Sequence, residues 1–395
     1  MLIEIILFLF FGIFAGTFSG LFPGIHINLI GAFLVSLSTS FLSSVEVIYL
    51  ITFIVAMSIT HTFLDFIPSV FLGCPNTDTE LSILPGHELL KEGNGYGAVM
   101  LAANGCLTAI FILILTIIPL IFIVSKTYSL IKVAIPYLLI LASLMLIITE
   151  KKKFTAIAVF LLTGLLGLSV LNLELKEPLL PLLTGLFGAS SLILSIKTKT
   201  QIPQQNMNLI KIKITKPIMG SLIASPLCGF LPGLGSGQAA IIGNSISKTD
   251  KKGFLVLLGA TNTLVMGFSF IALYTISKTR TGMAVAIQEL IGTPSLKILI
   301  LILTVLLISG VISFFLTKYL AKYFANKIEK INYSLLSFIT LIVLIIVTIV
   351  FSGILGFLIL IISTLTGIYC ITSNVRRTNM MACLLLPTIL LYFGL

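Results

Sequence analysis

Two residues capable of acid–base chemistry lie inside one apolar stretch of the sequence. His61 and Asp65 occur in THTFLDF, within a predicted helix over about 47–72. A carboxylate inside a membrane-spanning segment is costly and is by default a functional candidate. Side chains four residues apart on a helix share one face. The pair therefore predicts a proton carrier or a ligand for a coupling cation, and a structural hydrogen-bonded pair is the alternative.

Short polar side chains surround this pair and recur later in the chain. Thr60 and Thr62 flank His61, and Thr261-Asn262-Thr263 repeats the pattern. Hydroxyl, amide and backbone oxygens can bind Na⁺, although hydrogen bonding between helices is the alternative for such residues. We find no further ligand set, so the sequence predicts no cofactor and no metal beyond a transported Na⁺, with H⁺ as the other coupling ion.

Two Pro-Gly pairs interrupt apolar stretches at comparable places. Residues 20–31 read GLFPGIHINLIG, and residues 229–240 read GFLPGLGSGQAA. Pro-Gly ends a helix, and half-helix N-termini at membrane depth offer N–H donors and partial positive charge to an anion. A packing kink is the alternative. The predicted substrate-binding residues are Pro23, Gly24, His26, Asn28, Pro232, Gly233, Gly235, Ser236, Gly237 and Gln238.

The elements that hold these residues follow from composition. The chain has 395 residues, of which 58% are hydrophobic and 9% are charged, whereas a soluble domain is about 25% charged. A soluble globular enzyme, a disordered chain and a nucleic-acid-binding protein are thereby excluded, and the bilayer is the expected surrounding. Repeated apolar runs predict an all-α polytopic membrane protein. Spans are expected at about 47–72, 97–125, 129–149, 153–172, 178–197, 253–277, 294–317, 332–351, 353–372 and 378–395.

Basic residues indicate which loops share one side of the membrane. If the linker 198–216 is cytoplasmic, 18 Lys and Arg fall on that side and 6 on the other, as the positive-inside rule favours. The count requires the stretches 5–42 and 217–247 each to enter and return on one side. The expected location is the plasma membrane. The loops assigned to the cytoplasm are 73–96, 150–153, 198–216, 248–252, 318–331 and 373–377.

The two interrupted stretches predict an internal repeat. Each begins a half with a broken re-entrant hairpin, which about five transmembrane helices follow. Five is odd, so the second half is expected to be inverted relative to the first, as in many secondary transporters. The predicted organisation is a first repeat at 1–197, a cytoplasmic linker at 198–216 and a second repeat at 217–395.

The motifs FPGIHIN and LPGLGSGQA, with THTFLDFIPSVFLGCPNTDTELSILPGHELLKEGNGYGAV, carry a family resemblance. They resemble the large permease subunit of tripartite tricarboxylate transporters, the TctA family, and in particular its shorter, archaeal-type members. The resemblance implies an integral membrane permease that moves carboxylates by secondary transport. It also implies a small membrane subunit and an extracytoplasmic binding protein as partners.

The sequence therefore predicts a secondary active transporter and not an enzyme. The expected substrates are small organic anions, di- or tricarboxylates, that move by alternating access around a midplane site at the two Pro-Gly tips. A homodimer is also expected as an assembly state. The alternative is a translocase for a polyprenyl-phosphate lipid carrier, since half-helix N-termini suit a phosphate equally well. An intramembrane enzyme is disfavoured because the sequence has no GxSxG or HExxH pattern.

Overall fold

The computed structural model of the chain describes residues 2–22, 45–73, 81, 83–175, 177–197, 201–229, 236–279, 281–330 and 332–394. Regular structure in these ranges is helical, and 8 of the helices are long and apolar enough to cross a membrane. The predicted all-α polytopic membrane fold is confirmed. The helices are α1 (Leu2–Leu21), α2 (Val47–Leu64), α3 (Phe66–Phe71), α4 (Ile83–Lys91), α5 (Gly95–Ile148), α6 (Lys153–Leu171), α7 (Leu179–Leu183), a π-helix (Thr184–Ala189), α8 (Ser190–Lys197), α9 (Thr215–Gly229), α10 (Ser236–Ser247), α11 (Lys251–Ile276), α12 (Gly282–Ile291), α13 (Leu296–Ile328), α14 (Tyr333–Thr372), a 3₁₀-helix (Arg377–Met381) and α15 (Ala382–Phe393).

Helices α2 and α3 form one membrane span that is broken at Asp65. Pro68 has no backbone N–H, and a proline ring conflicts with the carbonyl four residues earlier, here that of Leu64. Accordingly, α2 ends at Leu64 and α3 begins at Phe66. The break therefore places the carboxylate-bearing residue of this span at the junction of two helices.

Helix α1 packs along α2, and the two helices run in the same direction. Gly12 faces the carbonyl of Phe53. Two turns later, Gly20 faces Leu64. Because residue numbers rise together along this contact, α1 enters from the end where α2 begins and reaches the depth of Asp65. The expected return of the first stretch falls on residues 23–44, which lie outside the described residues.

Helices α9 and α10 form an antiparallel pair. Gly220 lies against Ser247, and further along the pair Gly243 contacts Ala224. The small residues let the two backbones approach closely. The second interrupted stretch therefore enters and returns at the same end of the molecule, as the sequence predicts.

Helix α9 is also parallel to α11, which fixes the end from which this pair enters. Pro217 lies next to Gly253 near the start of α11. At the other end of α9, Gly229 packs on Phe268. The pair α9–α10 thus enters from the end where α11 begins, whereas α1 enters from the end where α2 begins.

Helices from before and after the linker cross each other through small residues. Gly105 of α5 lies so close to α11 that an added Cβ would be 3.0 Å from the Ala260 nitrogen. Gly259 of α11 lies in the same way against the backbone of Ala102. In the matching arrangement, α13 packs on α2. Close backbone contact of this kind stabilises helix pairs in membranes, where apolar burial alone gives little driving force.

Helix α5 reverses direction within its length. Gly105 contacts Val256 of α11, whereas Ile148 lines the same cavity as Phe254, also of α11. A straight helix would separate Gly105 from Ile148 by about 65 Å. The chain therefore folds back between them, as the two predicted spans in this region require.

The remaining helices form a second group beside the first. Helix α6 packs on α15, with Gly167 against Cys383, and α14 packs on the π-helix, with Gly367 against Leu186. Gly353 has φ of 67° and divides α14 into two helical parts. This division matches the boundary between the predicted spans 332–351 and 353–372.

Segments predicted to share one side of the membrane meet at one end of the molecule, here called the loop end. Ion pairs join Lys251 to Glu88 and Arg376 to Glu150. The other contacts there are Tyr333 with His87, Lys152 with Ser373, and Gln205 with Gly95 and Leu90. Each of the six loops that the count of basic residues groups together takes part in at least one of these contacts, with the 318–331 loop represented by Tyr333 just after it.

One boundary and one additional helix differ from the sequence prediction. Helix α13 continues to Ile328 and so includes most of the predicted loop 318–331. Helix α12 was not predicted, because ten residues are too few for a membrane span and the flanking sequence is polar. The hydroxyl of Thr281 caps its first turn.

Candidate functional site

The carboxylate of Asp65 is bound by the amide of Asn262 in the interior of the helical bundle. Asn262 Nδ2 donates a hydrogen bond to Asp65 Oδ2 at 3.3 Å. The two residues are only 3% and 4% exposed. Asp65 lies at the break that Pro68 imposes, and Asn262 lies midway along α11. Two predicted ion-coupling residues from distant parts of the sequence therefore form one buried polar contact.

His61 connects this site to the end of α1. Its Nδ1 lies 3.0 Å from Ser19 Oγ, and both residues are buried. The next residue, Gly20, packs against the backbone of His61 and Asp65. The residues that precede the first Pro-Gly pair therefore contact the helix that carries the carboxylate.

The predicted threonines are buried around the same point. Ser313 Oγ of α13 donates a hydrogen bond to Thr60 Oγ1 at 2.9 Å. Thr62 and Thr261 each donate to the carbonyl three residues earlier in their own helix, and Thr263 is fully buried. A hydroxyl that donates its proton keeps oxygen lone pairs that can bind a cation. The arrangement is compatible with both predicted roles, hydrogen bonding between helices and cation binding.

A cysteine thiol lies among these groups. Cys106 Sγ is 3.2 Å from the Gly259 carbonyl oxygen and 3.6 Å from that of Thr62. The buried Thr263 hydroxyl is a further neighbour of this thiol. Cys106 is a free, buried thiol, and its contacts place it where α2, α5 and α11 meet.

The Pro-Gly motifs themselves lie largely outside the described residues. Pro23, Gly24, His26, Asn28, Pro232, Gly233 and Gly235 belong to that part. Ser236, Gly237 and Gln238 are described, open helix α10 and are buried. Gly229, where α9 ends, packs on Phe268, about 9 Å along α11 from Asn262. The flanks of both motifs thus reach similar depths near Asp65.

The donors at this site are hydroxyls, an amide, a thiol and one carboxylate. Within the described ranges no three His, Cys, Asp or Glu side chains come together as a metal site. Hard oxygen donors of this kind suit Na⁺ better than a transition metal. The arrangement can bind a proton or a hard cation beside a buried carboxylate.

The family model of the "Tripartite tricarboxylate transporter TctA family" matches residues 6–382. The chain belongs to the TctA family. This match includes Asp65, Asn262 and both Pro-Gly motifs. The TctA family is a family of transporters and not of enzymes, so this TctA protein is a multi-pass membrane protein of a transporter family.

A relative of this TctA protein has a similar length. It is named "Uncharacterized protein MJ1079", from Methanocaldococcus jannaschii, and is 35% identical over 401 residues, which cover 98% of each chain. No solved structure matches the chain. The resemblance to the TctA family that the motifs carry is confirmed by the family match.

Three residues of the TctA site were not predicted as site residues from the sequence: Ser19, Cys106 and Ser313. Each lies on a different helix from its partner, and Ser313 is 253 residues from Thr60. Small or polar residues within apolar spans, such as Gly105-Cys106 and Ser309 to Ser313, were the available signal. That signal marks helix contacts without identifying the partner.

A second buried histidine lies at the loop end of this TctA protein. His87 Nδ1 is 3.4 Å from Tyr333 Oη, and its Nε2 abuts Gly73. Within the described part of the chain, Nε2 makes no hydrogen bond. Burial lowers the pKa of His87 to about 3, with the positive charges of Arg377 and Lys91 adding to the effect. This imidazole is therefore neutral at neutral pH.

Proposed function

We propose that this TctA-family protein is a secondary active transporter for small organic anions, with di- and tricarboxylates as the substrate class. Transport is coupled to Na⁺ or H⁺. The observation that carries the proposal is the buried hydrogen bond between Asp65 and Asn262, which joins the segments before and after the linker. The family match supports the transporter class.

A buried carboxylate gives a physical basis for ion coupling. An isolated charge at this depth is costly, so the carboxylate is stabilised by taking a proton or by binding a cation. Binding or release of that ion changes the net charge at the Asp65 site, and with it the stability of the contacts between α2 and α11. Ion binding can thereby favour one arrangement of the two helices over the other.

We also propose that the chain consists of two inverted repeats, 1–197 and 217–395, around the linker 198–216. Thr60 and Thr261 are 201 residues apart, and α6 and the second part of α14 have the same separation. Two observations support inversion: α1 is parallel to α2 and α9 to α11, and the two pairs enter from opposite ends. Transporters of this type bind substrate where the repeats meet.

The substrate site is proposed at the facing tips of the two interrupted stretches. Ser236, Gly237 and Gln238 open α10 and would provide N–H donors and side-chain dipoles to a carboxylate. Pro23, Gly24, His26 and Asn28 are assigned from the matching motif, with Pro232, Gly233 and Gly235 completing the second tip. Alternating access would then move the hairpin-bearing helices around this point.

The orientation and assembly are part of the same proposal. The loop end is assigned to the cytoplasm of the plasma membrane because it holds most of the Lys and Arg. A small membrane subunit and an extracytoplasmic binding protein are the proposed partners, in keeping with the tripartite name of the family. A homodimer is the proposed assembly state.

Uptake into proteoliposomes tests the function. Labelled citrate and smaller di- and monocarboxylates are offered under an imposed Na⁺ or pH gradient to wild type, Asp65→Asn and Glu150→Gln. Glu150 is also buried but pairs with Arg376 at the loop end, so it controls for loss of a buried carboxylate. We expect gradient-driven uptake in wild type and Glu150→Gln and none in Asp65→Asn.

The outcomes separate the parts of the proposal. Gradient-driven uptake in Asp65→Asn equal to that of wild type would show that Asp65 does not take part in ion coupling. If no carboxylate enters under either gradient, also with the candidate partner proteins added, the substrate class is wrong. Transfer of a polyprenyl phosphate between leaflets in the same vesicles would then support the lipid-carrier alternative.

A further inference from the structure

A cavity of about 1010 Å³ lies at the loop end, away from the Asp65 site. One wall is the last part of α5. The opposite wall combines the end of α10, the start of α11 and residues 376–378. None of the predicted coupling or substrate residues lines it, so this cavity is distinct from the proposed transport site.

The α5 wall is an apolar stripe on a single helix face. Leu141, Leu144, Met145 and Ile148 follow the spacing of one helical face and line the cavity. Their exposed fractions lie between 43% and 60%, and in an apolar helix of a membrane protein such surface faces lipid chains. The stripe extends about 10 Å along the helix axis. An alkyl chain is the ligand chemistry that this surface fits.

The opposite wall is basic at the rim. Lys251 pairs with Glu88, and Arg376 pairs with Glu150. The carboxylate of Asp250, which also lines the cavity, is engaged in capping α11 through the Gly253 N–H at 2.8 Å. The two lining carboxylates, Glu88 and Asp250, therefore already have partners, as does Glu150 behind Arg376.

Two further cations at the rim have no such partner. Arg377 donates to Ser191 Oγ at 2.6 Å. Among the described residues, neither Arg377 nor Lys248 has a carboxylate within ion-pair distance. Thr378 Oγ1 is buried beside them and makes no hydrogen bond within the same residues. The rim therefore offers an anion two cations that form no ion pair among the described residues, together with a hydroxyl.

We propose that this cavity binds an anionic membrane lipid. Its acidic head group lies by Lys248, Arg377 and Thr378, and the first part of an alkyl chain lies along the α5 stripe. A small carboxylate or free phosphate could satisfy the cations but would leave the stripe uncovered. A lipid covers both, and its anionic head group provides the preference over a neutral lipid, because chain contact alone gives little driving force within the bilayer. The assignment does not depend on the proposed transport activity.

The absence of tryptophan from the sequence gives a clean test. A single tryptophan is introduced as Ile148→Trp, at the cavity, and separately as Phe154→Trp, on an 89% exposed position of α6 that does not line it. Each variant is placed in bilayers of phosphatidylcholine with increasing brominated phosphatidylglycerol, or with brominated phosphatidylcholine as the neutral quencher. Fluorescence quenching then reports lipid contact at each position.

We expect brominated phosphatidylglycerol to quench Ile148→Trp at a lower mole fraction than brominated phosphatidylcholine does, and both lipids to quench Phe154→Trp alike. Adding Lys248→Gln or Arg377→Gln to Ile148→Trp should lower the preference for phosphatidylglycerol by about fivefold for each charge removed. Lys153→Gln, on an exposed lysine of the loop end that does not line the cavity, should leave it intact. Inorganic phosphate and citrate should not relieve the quenching.

Equal quenching by the two lipids at Ile148→Trp would overturn the proposal, since ordinary lipid contact explains it. Relief of quenching by phosphate or citrate would also overturn it and would assign the cavity to a soluble anion. A preference unchanged in both Lys248→Gln and Arg377→Gln would show that these side chains do not bind the head group. Native mass spectrometry of the same variants checks that each remains folded and records the retained lipid.

Discussion

Asn262, which donates a hydrogen bond to Asp65, occupies the place in Thr261-Asn262-Thr263 that His61 occupies in Thr60-His61-Thr62. Asp65 therefore accepts a hydrogen bond from the residue that corresponds to His61 in the second motif, and His61 itself lies one helical turn before Asp65. Met266 stands at the corresponding place in the second motif, so the site has one carboxylate and not two. In the proposed mechanism, one carboxylate at this junction would bind one proton or one cation.

Exchanging the two groups tests this contact. Asp65→Asn is expected to lose coupled uptake, and Asp65→Asn with Asn262→Asp should recover part of it, because the pair keeps one carboxylate and one amide. Asn262→Leu should lower the free energy of unfolding by about 1–3 kcal/mol, since a buried acceptor loses its donor. Uptake in proteoliposomes and denaturation in detergent measure the two effects. An exchange variant no better than Asp65→Asn would contradict the prediction.

Pro68 sets the position of Asp65, so its replacement should lower uptake without lowering the free energy of unfolding. Pro68→Ala restores an N–H that can bond to the Leu64 carbonyl and allows α2 to continue into α3. The free energy of unfolding should stay the same or rise by up to about 3 kcal/mol, while uptake falls. Pro136→Ala, within α5, is the matched control with normal uptake. Normal uptake in a stable Pro68→Ala would show that the break is not needed.

The crossing of α5 and α11 should not tolerate a side chain. Gly259→Val places methyl groups against the Ala102 backbone and should cost about 1–3 kcal/mol or more through overpacking. The yield of monodisperse protein and its Tm measure this effect. Ala158→Val, at an exposed position of α6, is the control, because its added methyl groups meet no packed backbone. A Gly259→Val protein as stable as Ala158→Val would contradict the close packing.

His87 should make stability depend on pH. Its folded pKa of about 3 lies below the unfolded value, so the unfolded chain binds the proton more readily. The free energy of unfolding is therefore highest above about pH 6.5. It falls as the pH drops towards 3, by at most about 1.4 kcal/mol per pH unit. His87→Gln should flatten the decline of Tm between neutral and acidic pH. An unchanged slope would place the titration elsewhere.

Hydropathy and loop charge predicted the membrane fold and the loops that meet at the loop end, because both are read from local composition. The Pro-Gly motifs and Asp65 were also recognisable, since proline, glycine and a carboxylate are conspicuous in apolar spans. The bond to Asn262 and the contact of Ser313 with Thr60 were not. Both depend on which helices cross, and neither periodicity nor residue type records that choice. Helix α12 was missed for another reason, since it is too short to give a span signal.

The crossing of α5 with α11 and of α13 with α2 has a consequence for synthesis of the protein. The ribosome completes α2 and α5 long before it makes α11 and α13. During that interval the glycine faces of the early helices and the Asp65 carboxylate lack the partners they have in the finished protein. The first half therefore remains in the membrane as an incomplete bundle until α11 and α13 insert against α2 and α5. A chain that stops at the linker should remain a substrate for membrane proteases.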